Sequence, residues 1–240
     1  NKGAVVEVNS ETDFVAKNDM FQEYVADAAL VALMHNGEVC DMKTFQCPKV
    51  HKSFEERLTD LIAKIGENMN LRRAAMLEVS NGVIASYVHN ACKPNLGKIG
   101  VLVALESNGD KAKLQELGKH IAMHVAASNP QFLTIADVDQ ASIDHEKAIF
   151  SEQAKASGKP ENIIEKMVEG RIKKYFDEVV LEEQAYIMDP DKKVKQIVAD
   201  AAKEMGADIK LKAFVCFRLG EGLEKRNEDF AAEVASQLKK

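Results

Sequence analysis

The sequence predicts an α+β protein: two related subdomains, each a small antiparallel sheet faced by helices, with an antiparallel helical hairpin inserted into the second. Three observations predict it. Runs with the two-residue period of strands are interleaved with runs of helical period along most of the 240 residues. A strand, turn and helix recur three times, as "GAVVEVNSETDFVAKNDMFQEYV", "GVLVALESNGDKAKLQELGKHI" and "AFVCFRLGEGLEKRNEDFAAEV". Between Asp137 and Val180 the strands give way to two helical stretches joined by Ser157-Gly158-Lys159-Pro160. The expected divisions are a first core subdomain over 1–82, a second over 83–137 and 182–222, the hairpin over 138–181, and a C-terminal helical module over 223–240.

The opening strand alternates, with Ala4, Val6 and Val8 on one face. After a polar turn, a helix carries Phe21, Val25, Ala28 and Ala32 on one stripe and stops at Asn36-Gly37. Residues 38–52, with Pro48, read as irregular. Ser53 and Glu56 spell a capping box ahead of Phe54, Leu58, Leu61, Ile62 and Ile65, a wide apolar face that ends at Gly66 and is expected to cover a sheet. Asn81-Gly82 joins two β-type runs and predicts a hairpin of antiparallel strands. "KIGVLVALES" is apolar on both faces, as a central strand would be. A helix follows with Leu114, Leu117, Ile121 and Val125, ending before Pro130. In the hairpin, Ile164, Val168, Ile172 and Phe176 fall at four-residue steps with no evident sheet to pack on, which predicts burial against a second copy of the chain. A short helix through Val194, Ile197, Val198 and Ala201 closes at Gly206. The last strand, Ile209, Leu211, Ala213, Val215, Phe217 and Leu219, alternates strictly, and a helix with Phe230, Val234 and Leu238 ends the chain.

The composition, 46% hydrophobic and 29% charged, is that of a soluble globular protein. Lys and Arg number 32 against 38 Asp and Glu, a net charge of -6, and the basic residues are scattered. A direct nucleic-acid partner is therefore not expected. No apolar run approaches the roughly 18 to 20 residues of a membrane span, and the N-terminus carries no secretory pattern. Cys40, Cys47, Cys92 and Cys216 are far apart and spell neither a zinc knuckle nor a redox pair. These features predict a cytoplasmic protein. The start at Asn1, so close to a strand, leads us to expect that a further segment precedes it.

Residues with catalytic or metal-binding spacing are few. In "HIAMH", His120 and His124 lie one helical turn apart, but a zinc hydrolase would place a glutamate where Ile121 stands, and a packed helix explains both imidazoles. No phosphate-cradling glycine loop occurs: Gly220 and Gly222 in "LGEGLEK" lack the third glycine. Neither a cofactor nor a metal is expected. "SETDFVAKN" admits two readings. Thr12 or Asp13 could cap a helix that takes Phe14 into the core, in phase with Phe21. Alternatively, Asn18-Asp19 is the true helix start, leaving Phe14 on a turn where an aromatic can press on a partner.

"EVNSETDFVAKN" resembles the signature of the translation elongation factor Ts family. The resemblance continues in family order through "KIGENMNLRR", "ASYVHN", "KIGVLVAL", "GKHIAMHVAAS", "SGKPENIIEKMVEGRIKKY" and "NEDFAAEVA". The family's N-terminal three-helix module has no counterpart in these residues, and "NACKPNLGK" resembles the longer loop of alphaproteobacterial or mitochondrial members. The resemblance implies a guanine-nucleotide exchange factor for elongation factor Tu, without enzymatic groups, in a bacterial cytoplasm, with the mitochondrial matrix as the lesser alternative. It implies that Phe14 is a wedge into the partner's nucleotide domain that disturbs its magnesium site, with Asp13 touching the same region. Ile65, Gly66 and His89 match further contact positions, Ile187 and Met188 match contacts to another partner domain, although the family usually has Phe-Val there, and Phe230 belongs to a C-terminal contact module. Dimerisation through Ile164, Val168, Ile172 and Phe176 is likewise implied. The competing expectations are a dimeric binding scaffold without exchange activity and a metal-dependent hydrolase using His120 and His124.

Overall fold

A computed structural model of the chain describes residues 1–47, 51–155 and 160–223; Pro48, the turn from Ser157 to Lys159, and the helix expected around Phe230 lie outside the described residues. In chain order the elements are β1 (Lys2–Ser10), α1 (Asp19–Met34), α2 (Val39–Thr44), β2 (Gln46–Cys47), β3 (Lys52–Ser53), α3 (Phe54–Ile65), β4 (Met69–Glu78), β5 (Gly82–His89), β6 (Ile99–Ser107), α4 (Lys111–Ser128), α5 (Gln140–Lys155), α6 (Glu161–Val179), β7 (Ala185–Tyr186), β8 (Asp189–Lys193), α7 (Val194–Met205) and β9 (Ile209–Arg218). The α+β class is as the sequence predicts. Residues 38–52, expected to be irregular, contain α2, β2 and the first residue of β3.

β1 and β4 pair antiparallel from Lys2 opposite Glu78 to Ser10 opposite Met69, with a bulge that leaves Arg72 unpaired between Glu7–Arg73 and Val8–Leu71. Ala4, Val6 and Val8 face a core built from Phe21, Tyr24, Ala28, Phe54, Leu58 and Leu61 of α1 and α3. The capping box of α3 is formed: Ser53 Oγ accepts from Glu56 N at 3.1 Å, and Glu56 Oε2 accepts from Ser53 N at 2.7 Å.

The hairpin expected at Asn81-Gly82 is not formed. β4 pairs with β1, whereas β5 pairs with β6, so the turn hands the chain from one sheet to the other. The chain does bend there, with Gly82 at a φ of +138°, but the pairing was decided by distant strands. The carbonyl of Asn81 accepts from Ser107 N at 3.2 Å, which sets the register of Gly82 opposite Glu106. The second sheet has the order β5-β6-β9, with the apolar β6 central as predicted. Its outer face packs on α4 and α7 through Leu105, Leu114, Ile121, Val125, Val194 and Val198.

β9 departs from strict alternation. Ala104 lies opposite Ala213 and Leu105 opposite Leu211, leaving Lys212 as a bulge. The phase shifts there, so Phe214 and Cys216 join Ile209 and Leu211 in the helix-covered core. Phe217 turns to the other face, where the Arg73 guanidinium lies 4.3 Å from its ring centre. That other face meets the first sheet. A Cβ on Gly3 would sit 2.6 Å from Ile84 Cγ2, and one on Gly100 would sit 2.8 Å from Val5 Cγ2, so the two glycines permit the close approach of the sheets.

α5 and α6 form the predicted antiparallel hairpin, rooted by a cluster of Val138, Val179 and Val180 with Phe132 and Phe176. The expectation that its stripe finds no cover within the chain needs correction. Ile172 is 8% exposed in the single chain, because α5 packs along α6. Ile164 and Val168 remain half-buried and line an open groove with Lys147, Ser151 and Lys155. No helix among the described residues is long and apolar enough to cross a membrane.

Candidate partner-binding surface

The turn after β1 decides between the two readings of Phe14. Asn18 Oδ1 accepts from Met20 N at 2.9 Å and from Phe21 N at 3.4 Å, so Asn18 is the N-cap and α1 starts at Asp19. Val15 opens a short 3-10 turn and is buried at 3% exposure, while Phe14 is 82% exposed. Adjacent residues thus have opposite tasks: Val15 plugs the core and Phe14 projects. It is the most exposed large apolar side chain among the described residues, which makes it the candidate for a partner contact.

Several chain segments converge on this turn. Both oxygens of Glu67 accept from Thr12, Oε2 from the backbone N–H at 3.0 Å and Oε1 from the hydroxyl at 2.7 Å. Glu67 follows Gly66, whose φ of +82° ends α3 in the left-handed conformation; apart from its neighbours along the chain, no described atom lies within 4 Å of where its Cβ would be, so this corner is open. Ile65 beside it is half-buried. On the other flank, Lys98 Nζ lies 3.2 Å from Asp13 Oδ1 and Lys93 Nζ lies 2.6 Å from Asp19 Oδ1. The Lys93 ammonium, through its hydrogen bond and charge, holds the Asp19 carboxyl below its ordinary range. His89, exposed at the end of β5, accepts from Lys98 N through its carbonyl at 3.2 Å, and its Nδ1 is 3.1 Å from the Tyr87 hydroxyl. Asp13, Phe14, Ile65, Gly66 and His89 therefore share one end of the molecule, where β1 leaves its sheet, β4 begins, β5 ends and β6 begins.

Ile187 and Met188 form the turn between β7 and β8, 42% and 47% exposed. Their support is His124, which is fully buried on α4. Its Nδ1 accepts from Ile187 N at 3.2 Å, which places the proton on Nε2, and Nε2–H donates to Gln184 Oε1 at 2.8 Å. Burial lowers the His124 pKa, against the opposing effect of the Gln184 bond, and keeps the imidazole neutral. The histidine spacing in "HIAMH" thus includes a packed residue that holds a turn with both ring nitrogens. Phe230 lies outside the described residues.

Sequence reasoning missed the residues that brace the surface. Glu67, Lys93 and Lys98 carry no signal beyond their neighbourhood in "KIGENMNLRR" and "NACKPNLGK". It also missed Glu7, which is 4% exposed on the face of β1 turned to the second sheet. Glu7 accepts from Arg72 Nη1 at 3.0 Å, Arg73 Nε at 2.5 Å, Asn9 Nδ2 at 3.0 Å and Gly220 N at 2.8 Å. Burial alone would raise its pKa, but these donors together hold the carboxyl below the ordinary glutamate value. Through Gly220, and through the bond from Arg73 Nη2 to the Arg218 carbonyl at 3.1 Å, this buried carboxylate ties β1 and β4 to the end of β9.

The family model described as Elongation factor TS matches residues 11–221. Elongation factor Ts of Paramagnetospirillum magneticum is 56% identical over 236 residues, covering 98% of this chain and 76% of the relative. That of Rhodospirillum rubrum is 56% identical over 239 residues, covering 99% and 77%. That of Bartonella henselae is 53% identical over 235 residues, covering 98% and 76%.

Proposed function

The chain belongs to the elongation factor Ts family, translation elongation factors, and from that premise we propose that it is a guanine-nucleotide exchange factor that binds elongation factor Tu and promotes release of GDP. The observation that carries the reading is Phe14, 82% exposed on a turn braced from both sides. An exchange factor needs no nucleophile or general base. It must bind the nucleotide-free partner more tightly than the loaded one, because equal affinity for two states shifts nothing. By reciprocity, the factor it removes from GDP affinity is the factor GDP removes from its own.

Phe14 supplies such a difference if its ring is accommodated only when the groups around the partner's Mg²⁺ are displaced. A buried aromatic anchor at an interface is commonly worth about 2 kcal/mol or more. Each tenfold in affinity takes about 1.4 kcal/mol, so this one ring accounts for well over a tenfold preference. Asp13, Ile65, Gly66 and His89 surround the wedge as the contact area, and Ile187 with Met188 forms a second contact held out by His124. The hairpin of α5 and α6 joins two copies of the chain through the half-buried Ile164 and Val168.

The test is the release of fluorescent GDP from elongation factor Tu, alone and with this chain. The unmodified chain is expected to accelerate release, and Phe14→Ala to lower the rate about tenfold or more. Its melting temperature should stay within a few degrees of the unmodified chain, because an exposed ring contributes little to the core. A core phenylalanine would instead cost about 3–5 kcal/mol on truncation. Release unaffected by the unmodified chain would refute the proposal.

A further inference from the structure

The ring of Phe14 is so exposed that its direction is set by the backbone on either side. After it, the chain is fixed twice, by the buried Val15 and by the Asn18 cap of α1. Before it, the last strand pair is Ser10 with Met69, and Glu11 to Asp13 have left the sheet. Three bonds act on that side. Glu67 takes both the N–H and the hydroxyl of Thr12, at 3.0 and 2.7 Å, and Ser10 Oγ donates to the Thr12 carbonyl at 3.2 Å. The remaining tie, Lys98 to Asp13, joins side chains that are 56% and 81% exposed. A solvated single ion pair of that kind holds a loop weakly. A carboxylate that accepts twice from one residue is stronger and directional.

We propose that Glu67 is a positioning residue for exchange: its carboxylate clamps Thr12 and so fixes the take-off of the turn that aims Phe14. The inference rests on the wedge reading above. It assigns Glu67 no contact with the nucleotide or with the partner's metal. Because Gly66 ends α3 immediately before it and Met69 opens β4 two residues after it, Glu67 is itself held between two rigid elements. Loss of the clamp should leave the surrounding contact surface in place and blur only the wedge. A defect of that kind appears in the step that needs the transition state, kcat, and spares KM.

The experiment compares Glu67→Ala and Glu67→Gln with the unmodified chain in catalysed GDP release, with GDP-loaded elongation factor Tu as the varied substrate. Thr12 amide hydrogen exchange is followed by NMR in the free chain. Glu67→Ala should lower kcat about tenfold, leave KM within about twofold, and speed Thr12 exchange. Glu67→Gln can still accept from the Thr12 N–H and donate to its hydroxyl, so it should stay within about threefold in kcat and keep the amide protected. An unchanged kcat for the alanine variant would overturn the proposal. So would a rise in KM at constant kcat, or a glutamine variant as impaired as alanine, since either would mean direct contact of the charge with the partner. Should the unmodified chain fail to accelerate release, the wedge reading fails, while the Thr12 amide still reports whether the clamp exists.

Discussion

Phe14 and Glu7 stand on the same strand and turn, and each is placed against the usual preference of its side chain: a phenylalanine in water and a glutamate in the interior. The first was within reach of sequence reasoning because the helix start at Asn18-Asp19 is a local signal that competes with the apolar period. The second was not, because an acidic residue in an alternating strand reads as the solvent face, and only the packing of a distant sheet makes that face an interior. Glu7→Gln should cost about 3 kcal/mol at neutral pH, as removal of one member of a buried ion-pair cluster does. A carboxyl whose folded pKa lies below its unfolded value of 4.5 adds stability at every pH above that value and loses it as pH falls through the folded value. Urea melts should therefore show the gap between variant and unmodified chain narrowing below about pH 4. His124, whose folded pKa lies below 6.5, makes both proteins begin to lose stability at milder acidity, below that pH, so its effect cancels in the comparison.

At the scale of elements, local chemistry told where the chain turns but not whom it meets. Ser53 and Glu56 cap α3 as written in the sequence, and Gly66 and Gly206 close their helices in the left-handed conformation. The chain bends at Asn81-Gly82, yet the strands on either side belong to different sheets, because pairing is settled by long-range contacts. The bulge at Lys212 defeats a plain reading of alternation for the same reason: the extra residue is visible only against β6. In the hairpin, periodicity located the apolar stripe, but the stripe serves α5 as well as any second copy. Ile172 is consequently a poor probe of association, since charging it would undo the hairpin itself. Ile164→Glu combined with Val168→Glu should instead reduce the mass in light scattering to that of one chain while leaving the helical circular dichroism nearly unchanged. An unaltered mass would remove those two residues from the proposed dimer contact.

Among the described residues, the frame of the molecule is the β1-β4 and β5-β6-β9 sheets laid face to face with helices outside, and the candidate surface is the end where both release their loops. Its geometry depends on how closely the sheets approach. Gly3→Ala and Gly100→Ala each push a methyl to within 2.6–2.8 Å of a stiff β-branched side chain, Ile84 or Val5. Each should cost about 1–3 kcal/mol by overpacking, measured by denaturant unfolding, with Gly66→Ala as a control for strain without crowding. The Glu7 cluster holds the same seam from inside, so Phe14, the corner at Gly66 and His89 are displayed by one frame and not by independent loops. The proposed exchange is tested most directly by the coupling between this chain and the nucleotide on elongation factor Tu. Calorimetric titration of elongation factor Tu into the chain, nucleotide-free and then saturated with Mg²⁺ and GDP, measures the coupling free energy directly. Binding to the loaded partner is expected to be at least tenfold weaker, a difference of about 1.4 kcal/mol or more, with a much smaller gap for Phe14→Ala. Equal affinities of the unmodified chain for the two forms would mean that it binds without exchanging, and would refute the proposed exchange activity.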